Sequence, residues 1–276
     1  MTMRISDYGP GAGSVAAPSP GKPVIELVDV TKTFSGKSGP VQALTPVNLK
    51  VREGEFLAVV GTSGCGKSTL MRIIAGLMQP SSGHVIVNGR EVDGPDKRTG
   101  IVFQTPVLLP WRTVRGNIEL QLDIRGLATA QSRGKVDALI ELVGLKGFED
   151  RMPYELSGGM QQRVALCRAL IHDPSILLMD EPFGALDAMT REHMNLELQR
   201  VWAETGKTVV FITHSITEAV FLADRIVVMS PRPGRISDVL DIALARPRNF
   251  QSVRDEAFHV ACDHVRALMN AQGMVE

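Results

Sequence analysis

Residues 61–69 constrain this chain more than any other segment. They follow the pattern G-x-x-x-x-G-K-[ST] and come directly after the apolar run 56–60. A buried strand, a glycine-rich loop and a following helix form the context of a phosphate-binding P-loop. Glycine at positions 61, 64 and 66 lets the backbone turn tightly and direct its N–H groups at phosphate oxygens. The segment therefore predicts a nucleotide site.

The residue types in this loop each suit a part of that chemistry. Lys67 brings a mobile positive charge to the β- and γ-phosphates, and the Ser68 hydroxyl is placed to ligate Mg²⁺. The helix that begins near Lys67 adds N–H donors and its positive end. We expect the nucleotide to contact the whole loop: Gly61, Thr62, Ser63, Gly64, Cys65, Gly66, Lys67, Ser68 and Thr69.

Composition limits the classes of protein to consider. The 276 residues, 44% of them hydrophobic, suffice for one large α/β domain or two small ones. Thirty basic residues balance thirty acidic ones, which argues against a nucleic-acid partner. The three cysteines are far apart and lack C-x-x-C spacing, so we expect neither disulfides nor a cysteine metal site. No apolar run is long enough to span a membrane.

Strand and helix patterns alternate along the chain after a tail, residues 1–23, whose Gly, Pro, Ser and Ala content predicts disorder. Helical patterns occupy residues 113–148 and begin again at Gly158. This alternation predicts an α/β fold with a mostly parallel sheet. The predicted strands are residues 24–30, 41–51, 56–60, 84–88, 99–103, 175–180, 208–213 and 225–230. Near the end, residues 251–270 predict an amphipathic helix whose apolar face holds Val253, Ala257, Ala261, Val265 and Leu268.

Polar side chains stand at the ends of three predicted strands. Asp180 ends an apolar strand and suits Mg²⁺, and Glu181 is placed to orient or deprotonate an attacking water. Gln104 follows the strand at 99–103, where a neutral amide can contact both the Mg²⁺ and the water. His214 follows the strand at 208–213, where a donor can reach the γ-phosphate. The predicted catalytic residues are therefore Glu181, His214, Gln104 and Lys67, and the predicted metal ligands are Ser68, Gln104 and Asp180.

A second phosphate-binding device identifies a family. Residues 156–163 read Leu-Ser-Gly-Gly-Met-Gln-Gln-Arg, so that a hydroxyl and free N–H donors stand at a helix start. Together with the other motifs, this segment resembles the nucleotide-binding subunit of ATP-binding cassette (ABC) transporters, from about residue 24 to residue 230. The resemblance makes residues 61–69 the Walker A loop, Gln104 the Q-loop, 156–161 the signature, 176–181 Walker B, 185–187 the D-loop and His214 the switch histidine.

The resemblance also implies a domain organisation, a dimer and further nucleotide contacts. It implies a P-loop NTPase domain over residues 24–276, with a mostly parallel core sheet, an antiparallel β subdomain, a helical signature subdomain at about 105–165, and a C-terminal strand and helix at about 235–270. It implies two cassettes facing head to tail, with ATP held between the P-loop of one subunit and the signature of the other. The further nucleotide contacts it implies are Phe34, by stacking on adenine, and Ser157, Gly158, Gly159 and Asp187.

Three segments narrow the resemblance to one group. The segments 104–111, 181–187 and 230–236 resemble the corresponding segments in the ATP-binding subunits of importers of nitrate, sulfonate and taurine. This similarity implies a homodimeric ATPase at the cytoplasmic face of a bacterial inner membrane, with a membrane permease and, indirectly, a solute-binding protein. Trp111 is then expected at the permease contact, and burial within the helical region is the alternative.

The chain departs from the family's motifs at two positions, and few other functions remain as alternatives. Met160 replaces the common signature Gln, and Ser215 replaces a frequent Asp but can still cap a helix. An ABC ATPase of DNA maintenance would need a long insertion before the signature, and one of translation would normally carry two cassettes in one chain. Intact Lys67, Asp180 and Glu181 argue against a binding module that does not hydrolyse ATP. The sequence does not reveal the transported solute.

Overall fold

The computed structural model describes residues 21–36 and 39–271. Most of the predicted disordered tail, residues 1–20, lies outside the described residues. The first strand, β1 (Pro23–Gly36), begins at the end of that predicted tail. It pairs antiparallel with β2 (Gly39–Arg52) through a register that runs from Pro23 opposite Arg52 to Gly36 opposite Gly39. The sequence predicted two shorter strands, but pairing extends them beyond their alternating apolar parts into an exposed hairpin.

A six-stranded sheet forms the centre of the molecule. Its order is β10-β9-β3-β8-β7-β6, and β10 is antiparallel to β9 while the other pairs are parallel. The predicted α/β fold with a mostly parallel core sheet is therefore confirmed. The strands are β3 (Phe56–Val60), β6 (Thr99–Val102), β7 (Ile176–Asp180), β8 (Thr208–Ile212), β9 (Arg225–Met229) and β10 (Ile236–Asp241).

A second, antiparallel sheet has the order β2-β1-β4-β5, in which β4 spans Ser82–Val87 and β5 spans Arg90–Glu91. The described part of the chain also has seven α-helices and two short 3-10 helices, Pro153–Glu155 and Ser252–Arg254. The α-helices are α1 (Lys67–Ile74), α2 (Val114–Arg125), α3 (Ala130–Leu142), α4 (Gly158–Leu170), α5 (Ala188–Thr205), α6 (Ile216–Leu222) and α7 (Glu256–Ala271). Side-chain oxygens cap the N-termini of α2 to α6, which satisfies N–H donors that have no partner inside the helix. These caps are Thr113, Thr129, Ser157, Asp187 and Ser215.

The central strand β3 is buried on both faces. Phe56, Ala58 and Val60 belong to an apolar cluster shared with α2 and α4 to α7, whereas Leu57 and Val59 belong to a second cluster with α1 and the antiparallel sheet. Successive side chains of a strand point to opposite faces, so a strand between two layers must be apolar at every position. This explains the unbroken apolar run that precedes the P-loop.

Helix α7 packs on the core through a face that overlaps the predicted one. Its buried residues are Phe258, Cys262, Val265 and Met269. Of the predicted set, Val265 is buried, Val253, Ala261 and Leu268 are partly buried against the same cluster, and Ala257 is exposed. The predicted set repeats mostly every four residues, which drifts around a helix of 3.6 residues per turn. The observed spacing of four, three and four residues stays on one side, as expected of a helix docked on a core. The sequence prediction was thus correct for the helix and for most of its apolar face, but it wrongly included Ala257 and missed Phe258, Cys262 and Met269.

Candidate active site

The predicted catalytic residues meet because of the parallel sheet. In parallel strands the carboxyl ends lie at one edge, and ligands bind in the crevice there. The P-loop leaves β3 at this edge, Gln104 follows β6, Glu181 follows β7 and His214 follows β8. Residues that are far apart in sequence therefore surround one crevice.

The P-loop turns at Gly66, which caps α1 in a left-handed conformation with φ of 109°. A Cβ at this position would lie 2.7 Å from the Cδ2 atom of Leu44, so both the backbone angle and the packing require glycine. The Lys67 ammonium donates hydrogen bonds to the carbonyls of Gly61 at 2.7 Å and Thr62 at 2.9 Å. Backbone carbonyls of the P-loop thus hold the Lys67 ammonium, the group that the sequence assigns to phosphate binding.

The Cys65 side chain points into the core and is 1% exposed. Burial raises the pKa of its thiol, so the side chain is an apolar packing group. Any contact of Cys65 with a nucleotide must therefore come from its backbone. All three cysteines, Cys65, Cys167 and Cys262, are free and buried.

Asp180 and Ser68 form the acidic end of the crevice. The Asp180 carboxylate is 4% exposed, and burial raises its pKa, although a hydrogen bond with the Ser68 hydroxyl opposes that shift. A hydroxyl beside a carboxylate offers the oxygen ligands that Mg²⁺ prefers. Within the described residues no group of three or more His, Cys, Asp or Glu side chains could hold a metal. This pair therefore fits an ion that draws its other ligands from phosphate and water.

Glu181 is held by two polar neighbours. The Gln104 amide donates to its Oε2 at 3.2 Å, and Nδ1 of His214 lies 3.3 Å from the same oxygen. The backbone of Glu181 is left-handed, with φ of 46°, which is strained for a residue with a Cβ. Strain of this kind persists only where the surroundings enforce it, and here it turns the chain sharply at the end of β7.

A cleft of about 290 Å³ lies over the P-loop. Phe34 lines it with a residue exposure of 38%, and Lys32 places its ammonium 5.4 Å from the ring centroid. Nine predicted site residues line the cleft: Phe34, Ser63, Gly64, Gly66, Lys67, Ser68, Thr69, Gln104 and Glu181. Four other predicted site residues contact a residue that lines the cleft. Gly61 and Thr62 accept hydrogen bonds from Lys67, Asp180 is hydrogen-bonded with Ser68, and His214 lies beside Glu181.

Three lining residues were missed by sequence reasoning: Val41, Ala43 and Arg232. Val41 and Ala43 lie on β2, across the hairpin from Phe34, and a predicted hairpin would have indicated them. Arg232 lies in the segment 230–236, which the sequence analysis used only for its resemblance to importers. No local pattern connects Arg232 with the P-loop.

The four predicted nucleotide contacts of the signature and the D-loop do not line this cleft: Ser157, Gly158, Gly159 and Asp187. Ser157 and Gly158 are exposed, and the Ser157 hydroxyl accepts a hydrogen bond from Met160 N at 3.3 Å. The Asp187 carboxylate caps α5 by accepting from Thr190 N at 3.0 Å, and hydrogen bonding to Thr190 lowers its pKa. Within a single chain, Ser157 and Asp187 therefore cap helices, and none of the four residues lines the cleft.

Trp111 lies on the surface with 71% of its area exposed. Tyr154 and Val107, also from the segment between β6 and α4, are exposed by 77% and 59%. The alternative that Trp111 is buried among the helices is therefore wrong. Within residues 21–36 and 39–271, no helix combines the length and apolar character that crossing a bilayer requires.

Comparison with known proteins decides the family. Residues 44–184 match the family model described as ABC transporter. An uncharacterized ABC transporter ATP-binding protein of Methanocaldococcus jannaschii is 50% identical over 229 residues, covering 83% of this chain and 86% of the relative. The chain belongs to the ABC transporter family. As an ATP-binding protein of this family, it binds ATP and is an ATPase.

Other ABC relatives carry more specific names. The aliphatic sulfonates import ATP-binding protein of Bacillus thuringiensis is 45% identical and covers 83% of this chain and 92% of its own length. The taurine import ATP-binding protein of Roseobacter denitrificans is 51% identical, with coverage of 71% and 73%. A solved dimeric ATP-binding cassette in a post-hydrolysis state, bound to ADP and Pi, matches with a TM-score of 0.74 and 36% identity, over 80% of this chain and 99% of that one.

Proposed function

We propose that this ABC ATPase powers the import of a small organic sulfonate, such as taurine or an alkanesulfonate, through a partner membrane permease. The observation that carries this proposal is the 45–51% identity to proteins named for sulfonate and taurine import. The three importer-like segments of the sequence agree with this assignment. Both solute types share a sulfonate group, so the proposal commits to that chemistry and leaves nitrate as the competing solute.

Two copies of the chain are proposed to act as a head-to-tail homodimer. Ser157 and Gly158 are exposed and lie outside the cleft of their own chain, which leaves them accessible to a second copy. A helix N-terminus with free N–H donors suits the phosphates of ATP held on that copy's P-loop. The dimeric state of the similar cassette supports this arrangement.

The residues of the cleft are assigned roles on this basis. Lys67 and the P-loop backbone bind the phosphates, Phe34 stacks on adenine, and Ser68, Asp180 and Gln104 hold Mg²⁺. Bound Mg²⁺ would neutralise charge that develops on the transferred phosphoryl group. Gln104 and His214 both approach Oε2 of Glu181, and no described residue forms a hydrogen bond with Oε1. Glu181 can therefore accept a proton from the attacking water at Oε1 while its carboxylate is held in place.

The permease is proposed to dock at the exposed surface around Trp111. Exposed aromatic residues are frequent anchors in protein contacts. Such docking would hold the subunit at the cytoplasmic face of the membrane, and a solute-binding protein on the other side would deliver the sulfonate to the permease.

Growth of the source organism tests the transport proposal. Deleting the gene should abolish growth on taurine or an alkanesulfonate as the only sulfur source but leave growth on sulfate unchanged. Complementation with the intact gene should restore growth, whereas complementation with a Glu181→Gln variant should not. Unchanged growth on both sulfonates, or a defect restricted to nitrate as nitrogen source, would contradict the assignment.

A further inference from the structure

The loop that joins β9 to β10, residues 230–235, closes one side of the nucleotide cleft. Gly234 N donates to Ala43 O at 2.9 Å, and Thr45 N donates to Gly234 O at 3.0 Å. The loop therefore continues the hydrogen bonding of β2 at the point where β2 passes the P-loop. Ser230 fixes its other end, because Ser230 N donates to Arg235 O at 2.9 Å.

The loop touches the P-loop so closely that only glycine fits. A Cβ at Gly234 would lie 1.9 Å from the carbonyl oxygen of Cys65. That oxygen belongs to the backbone, which cannot move aside without disturbing the phosphate-binding turn. The backbones of the 230–235 loop and the P-loop therefore pack directly on each other, so that the loop carries its side chains beside the phosphate-binding turn.

Arg232 is the charged side chain that this loop places at the cleft. Its Nε and Nη2 atoms donate to Gly64 O at 3.3 Å and 3.1 Å, and the residue lines the cleft together with Lys67 and Ser68. A guanidinium has five N–H donors, so most remain after these contacts. Among the described residues no carboxylate forms an ion pair with Arg232, and its only recorded hydrogen bonds go to Gly64.

The cleft has a use for such a cation. A nucleoside triphosphate carries several negative charges, whereas Lys67 is the other basic side chain among the residues that line the cleft. Arginine binds phosphate oxygens through two parallel N–H bonds, and its charge persists at any physiological pH. A guanidinium already oriented by a backbone carbonyl loses little freedom when it binds.

We propose that Arg232 binds the phosphate chain of the ATP held on its own subunit, as a second cation beside Lys67. This inference rests on the nucleotide site of the proposed function but does not depend on the solute or the permease. It gives a chemical role to Arg232, whose segment, 230–236, otherwise serves only to indicate similarity to importers.

The test compares two arginines of one loop. Arg232→Gln removes the proposed contact, Arg232→Lys keeps the charge, and Arg235→Gln removes an exposed charge that does not line the cleft. Isothermal titration of the purified subunit gives the Kd for ATP. Competition with inorganic tripolyphosphate, and with adenosine, separates the phosphate contacts from those of the base and sugar.

Arg232→Gln should raise the Kd of ATP and the inhibition constant of tripolyphosphate by about tenfold, the change expected for one lost hydrogen bond to a charged group. Adenosine binding should not change, Arg232→Lys should recover part of the loss, and Arg235→Gln should bind as the wild type does. Unchanged tripolyphosphate binding in Arg232→Gln, or an equal loss in Arg235→Gln, would overturn the proposal. A lower Tm with unchanged Kd would also overturn it and make Arg232 a strap for the P-loop. A failure of the sulfonate growth test leaves these titrations intact, so the two proposals fail separately.

Discussion

The Glu181→Gln variant tests the assigned chemistry most directly. The substitution keeps the size of the side chain and an oxygen that can accept from both Gln104 and His214, which approach Oε2 at 3.2 Å and 3.3 Å. Binding of ATP should therefore persist, and the free energy of unfolding should change by no more than about 0.5 kcal/mol. Only the capacity to accept a proton from water is lost.

The expected loss of activity follows from that single change. General-base catalysis contributes about 10²- to 10⁴-fold to a rate, which corresponds to about 3–5 kcal/mol of activation free energy. We expect kcat to fall by this amount while the Kd of ATP remains close to the wild-type value. Because hydrolysis would no longer separate the subunits, the variant should also persist as an ATP-bound dimer.

Steady-state phosphate release, titration calorimetry and size-exclusion chromatography with ATP measure these three quantities. Glu192→Gln is the matched control, because Glu192 is an exposed carboxylate on α5 that does not line the cleft, and its kcat should be unchanged. A Glu181→Gln variant that hydrolyses ATP within about threefold of the wild-type rate would refute the general-base assignment. Loss of ATP binding together with a lower Tm would refute the argument that the carboxylate's role is chemical and not structural.

Two further variants test the surface and the core. Trp111→Ala should leave the Tm and the ATPase activity of the isolated subunit unchanged, since the residue is 71% exposed. The variant should bind the permease more weakly by about 2–4 kcal/mol and should therefore co-purify with it less. A marked fall in Tm would contradict this. Arg248→Met should lower the free energy of unfolding by at least about 3 kcal/mol, because Arg248 is 1% exposed and its guanidinium donates to five backbone carbonyls. These acceptors are Val220, Phe221, Ala223, Ile242 and Leu244. Arg254→Met, an exposed arginine, is the control in chemical denaturation, and equal losses in both variants would contradict the prediction.

Local patterns in the sequence were sufficient for the fold class and for much of the cleft. The P-loop is a run of consecutive residues whose function depends on backbone freedom and spacing, both of which the sequence shows directly. Asp180, Gln104 and His214 were found because each follows an apolar run, and parallel strands end at a common edge. Phe34 and the signature required the family resemblance, because a lone aromatic or a Ser-Gly-Gly segment has many other uses.

The tertiary structure decided what depends on contacts between distant segments. It placed Arg232 on the carbonyl of Gly64, 168 residues away, and it decided which residues of α7 are fully buried. It also bent the backbone of Glu181 into a left-handed conformation that no propensity favours for glutamate. The sequence by itself determined the local turns and the periodicity of each element, because both depend only on residues that are neighbours along the chain. Which elements then meet is set by packing, which depends on the whole chain.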